Sequence, residues 1–238
     1  MSCIHVSENA NSRLLDSLAA EGHSIALQRP CSAVSEPISA HVDIFLCKMG
    51  TSPKSPVFRG DAAKLAPKYP ADVLYNAVVT EKFLICNTRT VSDDIPSCAK
   101  ALYPDIRLIH VPQGYTKCNM VVVDDRHFIT EDEGIAKALD KYRMQKASEG
   151  GKHADDALPE CITVRPGFVD LPGYDRGFIG GASGRIGNEI WFNGDISEHP
   201  DCEKIIAFIE SCGLTVKFIS GSPLTDIGSI IEEVTDND

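Results

Sequence analysis

The chain has 238 residues, 43% hydrophobic and 24% charged, the balance of a globular protein with a sizeable core, which excludes a disordered chain. Its 34 acidic residues outweigh 23 basic ones to a formal net charge of −11, which repels phosphate backbones and anionic lipid and so sets nucleic acid and membrane aside as partners. The nine cysteines are odd in number, scattered and never spaced as C-x-x-C, so they read as buried thiols of a reducing compartment rather than as disulfides or a zinc site.

The opening residues carry no cationic stretch followed by an apolar one, so no signal peptide is expected and the predicted location is cytoplasmic. Cys3–Val6 reads as a strand. A helix follows from Asn11 to Glu21, apolar at Leu14, Leu15 and Leu18 and stopped by Gly22, and then a strand at Ser24–Leu27. Asp43–Leu46 and Pro56–Phe58 make a hairpin with a short helix and no clear third strand. Asn76–Val79 and Phe83–Cys86 make the next hairpin, followed by a helix near Asp94–Tyr103 and a strand at Ile106–Ile109.

Asn119–Val123, the turn Asp124–Arg126 and His127–Ile129 form a third hairpin. Thr130 to Glu133 reads as a capping box for a helix with Ile135, Ala138, Leu139 and Tyr142 on one face. A polar stretch from Ser148 to Asp156 reads as an inserted loop before the strand Ile162–Val164. Gly177 to Gly194 reads as an apolar strand, a Gly-rich turn and a second strand ending at Phe192. His199 is expected to cap the following helix, with Pro200 in its first turn, a stripe through Ile205, Ile206, Phe208, Ile209 and Cys212, and Gly213 after it. Leu214–Ile219 and Asp226–Ile231 are the last strands.

The same strand–strand–helix–strand order thus recurs with first strands at Asp43, Asn76, Asn119, Gly177 and Asp226, and the two chain ends together complete one unit. Such a unit cannot bury its apolar face alone, and a ring of five whose termini share one unit leaves no open edge. The predicted fold is α/β: one domain spanning residues 1–238, a five-bladed α/β-propeller. The junctions Pro112–Tyr115, Leu171–Tyr174 and Ser222–Thr225 each turn the chain from a third strand into the next first strand.

This arrangement resembles the pentein, or guanidino-group-modifying, superfamily, which includes arginine deiminase, dimethylarginine dimethylaminohydrolase and amidinotransferases, with a non-catalytic branch of ribosome anti-association factors. The resemblance implies a Cys nucleophile on the first strand of the last unit, a His in a His-x-Asp setting, and carboxylates that grip a guanidinium. The chain departs from this pattern. Its last first strand reads Thr225–Ile231 with Ser229 and no cysteine, and Gly173–Gly177 holds no histidine.

In such a ring the polar residues of the first strands converge on a central channel: Asp43, Asn76, Lys117, Asn119, Asp175, Arg176, Asp226 and Ser229. Asp175 and Asp226 suit a cation and Lys117 or Arg176 a carboxylate, so a small zwitterion is the expected ligand. Regular strand alternation sets Lys117 and Asn119 on one face and Cys118 on the other, with Asp175 and Arg176 diverging. Cys118 is the best candidate for a reactive thiol, because a neighbouring ammonium lowers a thiol pKa. His41, two residues before Asp43, is the candidate acid or base. The seven histidines lack metal-ligand spacing, and Gly180–Gly187 lacks the P-loop pattern, so neither metal nor cofactor is expected. The glycines there are expected to allow close backbone approach, with Arg185 near the tip of the turn.

Three functions fit: a protein that binds a small polar molecule without covalent chemistry, an amidino-compound hydrolase whose nucleophile is Cys118 or Ser229, or a non-catalytic scaffold.

Overall fold

A computed structural model describes residues 2–148 and 158–234. Among these residues the fold is mixed α/β, with five small sheets and five helices. The sheet made by the termini has the order β14 (Ile231–Val234), β1 (Ser2–Ser7), β2 (Ser24–Gln28). β14 runs antiparallel to β1, with Ser2 opposite Val234, and β2 runs parallel to β1. The expectation that the two chain ends complete one unit is met.

Three further sheets repeat this plan. β5 (Val78–Val79), β6 (Phe83–Cys86) and β7 (Arg107–His110) form one. β8 (Met120–Val122), β9 (His127–Thr130) and β10 (Glu160–Thr163) form the second. β11 (Ser183–Ile186), β12 (Glu189–Phe192) and β13 (Thr215–Phe218) form the third. In each, the first pair is antiparallel and the second parallel. A parallel partner needs a crossover, supplied by α1 (Ser12–Ala20), α3 (Asp94–Leu102), α4 (Glu133–Ser148) and α5 (Cys202–Ser211). The fifth sheet is the pair β3 (Leu46–Lys48) and β4 (Val57–Arg59), the unit whose sequence offers no third strand.

The helices form where the apolar stripes require burial. Leu14 and Leu18 of α1, Ile95 and Ala99 of α3, Ile135 and Leu139 of α4, and Ile205 and Ile209 of α5 are all buried. Asn11 caps α1 by accepting from the Arg13 N–H. β6 is buried at all four residues, which accounts for its unbroken apolar run.

Several boundaries differ from expectation, each for a local reason. Asp43 to Phe45 do not form a strand: Val42–Phe45 is one helical turn, α2, and pairing starts at Leu46. The strand expected from Gly177 begins at Ser183, inside the stretch read as a turn, and the hairpin turns at Gly187, whose φ is +55°. The box at Thr130 is absent, since Asp132 Oδ1 accepts the Ile135 N–H and so caps α4. Pro200 precedes α5. His199 supports that helix indirectly, its Nδ1 accepting from the N–H of Asp201, the residue at the cap. Apart from Ser148, the loop expected over 148–156 lies outside the described residues.

All nine cysteines are free. Among the described residues, no helix is long and apolar enough to cross a membrane.

Candidate functional site

The chemistry-bearing residues sit just before the first strand of each sheet. Asp43 precedes β3, Asn76 precedes β5, Lys117 and Cys118 precede β8, Gly180 and Gly181 precede β11, and Asp226 and Ser229 precede β14. The five first strands line one cavity of about 60 Å³, with Cys47, Val79, Lys117, Val122, Arg185 and Ile231 on its wall.

Asn76 ties the cluster together. Its Oδ1 accepts from the backbone N–H groups of Lys117 (2.7 Å) and Cys118 (3.3 Å), and its Nδ2 donates to the Asp43 carbonyl at 3.3 Å. Residues 117–119 are therefore a turn and not a strand, since the Asn119 N–H reaches back to the Tyr115 carbonyl. The alternation expected there fails for that reason. Lys117 and Cys118 both join the cluster, while the Asn119 side chain donates to the Tyr115 carbonyl.

Asp43 is 1% exposed and takes two donors on Oδ2: the Ser229 hydroxyl at 2.7 Å and the Cys118 thiol at 3.0 Å. Lys117 Nζ donates to Ser229 Oγ at 2.9 Å and to the Gly180 carbonyl at 3.1 Å, so Ser229 bridges ammonium and carboxylate. Ser229 is held at φ +77°, a left-handed conformation that costs a non-glycine residue about 1 kcal/mol. Its N–H donates to the Gly181 carbonyl at 2.7 Å, which helps to fix that geometry.

Asp226, 2% exposed, accepts from the Phe178 and Gly228 N–H groups, both at 2.9 Å, and lies 3.8 Å from His41 Nδ1. Two glycines permit this packing, as the sequence led one to expect of the Gly-rich run: a Cβ on Gly181 would sit 2.0 Å from Asp226 Oδ1. On Gly228, where φ is +70°, a Cβ would sit 2.2 Å from the His41 Cβ.

Burial dominates the electrostatics. It raises the Asp226 pKa to about 6 against the help of its backbone donors and Lys117, and it lowers those of Lys117 and His41. Burial, then the fields of Asp43 and Asp226, pushes the Cys118 thiol well above its ordinary range. The expected activation of Cys118 by Lys117 is thus overturned for the free protein.

Cys118, His41 and Asp226 open onto a second cavity, of about 140 Å³, whose walls include Tyr115, Phe178 and Arg176. His41 and Asp226 also border a wider outer cleft of about 440 Å³ that reaches Asn9, Glu36 and Thr225. Arg176 is exposed at the rim. Asp175 is exposed and borders neither cavity, so its expected role in gripping a cation is withdrawn; it sits in a surface turn.

The family profile of a family of unknown function, DUF6873, matches residues 54–231, three quarters of the chain. The chain belongs to this family. No curated protein matches it. The matched span contains Asn76, Lys117, Cys118, Asp226 and Ser229; His41 and Asp43 precede it.

Sequence reasoning missed Glu131. It is 7% exposed, accepts from the Ile179 N–H at 2.8 Å through Oε2, and leaves Oε1 with no partner. Burial lifts its pKa to about 7, against the Ile179 bond and the Arg176 charge. The available signal was an acidic residue directly after the apolar strand β9. Among the described residues, two groups could present three metal-ligand atoms: His41, Asp43 and Cys118, and, at the surface, Asp124, His127 and Cys212. Linear spacing does not reveal either, because each draws on separate parts of the chain.

Proposed function

We propose that the five sheets form a closed pentein-type ring, and that the 140 Å³ cavity binds a small amidine or guanidine and hydrolyses it with Cys118 and His41. One observation carries the reading. A thiol, an imidazole and a carboxylate from three separate units meet on the wall of one cavity, with a second carboxylate, Asp43, 3.0 Å behind the thiol. The ring is supported by the shared sheet of the termini and by the five first strands around a single cavity. His41-Val42-Asp43 has the His-x-Asp spacing that the pentein resemblance asks for, on a different unit from the one expected.

The parts suit a cation. Asp226 on the wall and Asp43 behind the thiol supply negative charge, Tyr115 and Phe178 line the cavity, and Arg176 at the rim suits a carboxylate tail. In the reaction, Cys118 Sγ attacks the amidine carbon of the bound cation as its proton passes to the neutral His41 imidazole. His41 protonates the leaving amine, which departs and leaves a covalent thiouronium adduct. His41 then takes a proton from water as that water attacks and passes it to the Cys118 sulfur as the C–S bond breaks, while the ureido product sheds its own extra proton to solvent. An entering cation offsets the two carboxylate fields that hold the thiol protonated, so ionisation follows binding. The test is ammonia or ureido-product release from arginine, agmatine and methylated arginines. Cys118→Ala and His41→Ala should abolish turnover, and full activity in both variants would end the reading.

The protonated state of Cys118 in the free protein favours a second reading, a binding protein with no covalent step. In that case one of these compounds raises the melting temperature of wild type and Cys118→Ala equally, and neither protein turns it over.

A further inference from the structure

We propose that His41, Asp43 and Cys118 form a site for a thiophilic divalent transition metal such as zinc, which competes for the cavity with an organic cation. One ligand atom from each lies within 4.8 Å of the other two, a spread that a small inward movement brings to metal-bonding distances near 2.0–2.3 Å. All three are buried, at 4%, 1% and 2% exposure. The set is one nitrogen, one oxygen and one sulfur, the mixture that zinc and its neighbours accept and that calcium or magnesium does not.

An independent observation points the same way. His41 Nδ1 and Asp43 Oδ1 are buried and have no hydrogen-bond partner. Buried polar atoms are otherwise almost always satisfied, and two that are left free beside a thiol mark a place built to receive something. Asp43 can offer Oδ1 without giving up its structural bond, because the Ser229 hydroxyl is held by Oδ2.

Charge balance agrees. Lys117 faces the group through Ser229 and opposes a cation, while Asp226 faces it from beside His41 at 3.8 Å and attracts one. With Asp43 and Asp226 ionised and Lys117 charged, the cluster carries one uncompensated negative charge. A divalent ion that displaces the Cys118 proton to solvent makes the whole neutral, and burial rewards that outcome. The 140 Å³ cavity gives the ion an entry path to Cys118 and His41.

Co²⁺ titrated into the full chain, without substrate, should give one tight site with a cobalt–thiolate charge-transfer band. Cys118→Ser should remove the band and His41→Asn should weaken binding at least tenfold, both in protein that melts cooperatively. Cys212→Ser, which disables the surface group, should leave the band in place. A band that survives Cys118→Ser, or binding no tighter than in His41→Asn, overturns the proposal. In a hydrolase of the kind proposed above, the same occupancy silences Cys118. The band is read without turnover, so failure of one idea is distinguishable from failure of the other.

Discussion

Cys118 Sγ donates to Asp43 Oδ2 at 3.0 Å, and the same oxygen accepts from Ser229 Oγ at 2.7 Å. A carboxylate so close stabilises the thiol over the thiolate, and the thiolate is the species that reacts. Asp43→Asn removes that negative charge and leaves Lys117 without its counter-charge across Ser229. Alkylation of Cys118 by iodoacetamide at neutral pH, followed at that residue by peptide mass spectrometry, should therefore speed up about tenfold, since one pKa unit is a factor of ten in thiolate. Unchanged or slower labelling in a folded Asp43→Asn protein would show that the carboxylate does not set the state of the thiol.

Glu131 gives a pH signature. Its carboxyl titrates near 7 in the folded protein against an ordinary 4.5, so the folded state holds a proton that the unfolded state has already lost. Stability from this group is complete below about 4.5 and is lost as pH rises through about 7, a difference of about 3 kcal/mol at most. Glu131→Gln mimics the protonated acid. Wild type and variant should melt together at pH 4, and wild type should melt lower at pH 8. An offset that is the same at both pH values would mean that Glu131 is ionised throughout.

The sheets and helices are legible in the sequence because burial imposes a period on them. Phe83–Cys86 is apolar throughout because both faces are covered, and Ile205 and Ile209 mark the inner face of α5. The site is legible only as a set of residues. Asp43 lies in the single helical turn α2, and Asn76, Cys118, Asp226 and Ser229 lie outside helices and strands, so strand alternation does not set the direction of their side chains. That rule separates Lys117 from Cys118, whereas the Asn76 amide bends the chain so that both reach the cluster. Strand alternation sets Asp175 and Arg176 on different faces without saying which of them faces inward. Only the packing of the 171–178 turn decides that Arg176 borders the cavity and Asp175 does not.

Arg176 tests what the ligand carries. It is exposed at the rim, so in the proposed binding mode it would serve a group at the far end of the ligand and not the cation itself. An exposed charged hydrogen bond sits at the low end of about 1.5–3 kcal/mol. Arg176→Ala should weaken binding of arginine about tenfold and leave that of agmatine, which lacks the carboxylate, within twofold. Equal losses for both ligands, measured by calorimetry, would remove Arg176 from carboxylate recognition.

Asn76 is the part of the site on which the fold itself depends. Its side chain satisfies two backbone N–H groups of the buried turn before β8 and donates to the carbonyl of Asp43, so it joins three units through one amide. In Asn76→Ala those N–H groups stay buried with no acceptor, at about 1–3 kcal/mol each before relaxation. The variant should lose about 2–4 kcal/mol in urea unfolding. Asn119→Ala provides the contrast, since its amide donates to the single carbonyl of Tyr115 and its loss should cost about 1 kcal/mol. If Asn76→Ala proved no worse than Asn119→Ala, water would have to replace the amide at the centre of the cluster, and the turn would not be what positions Cys118.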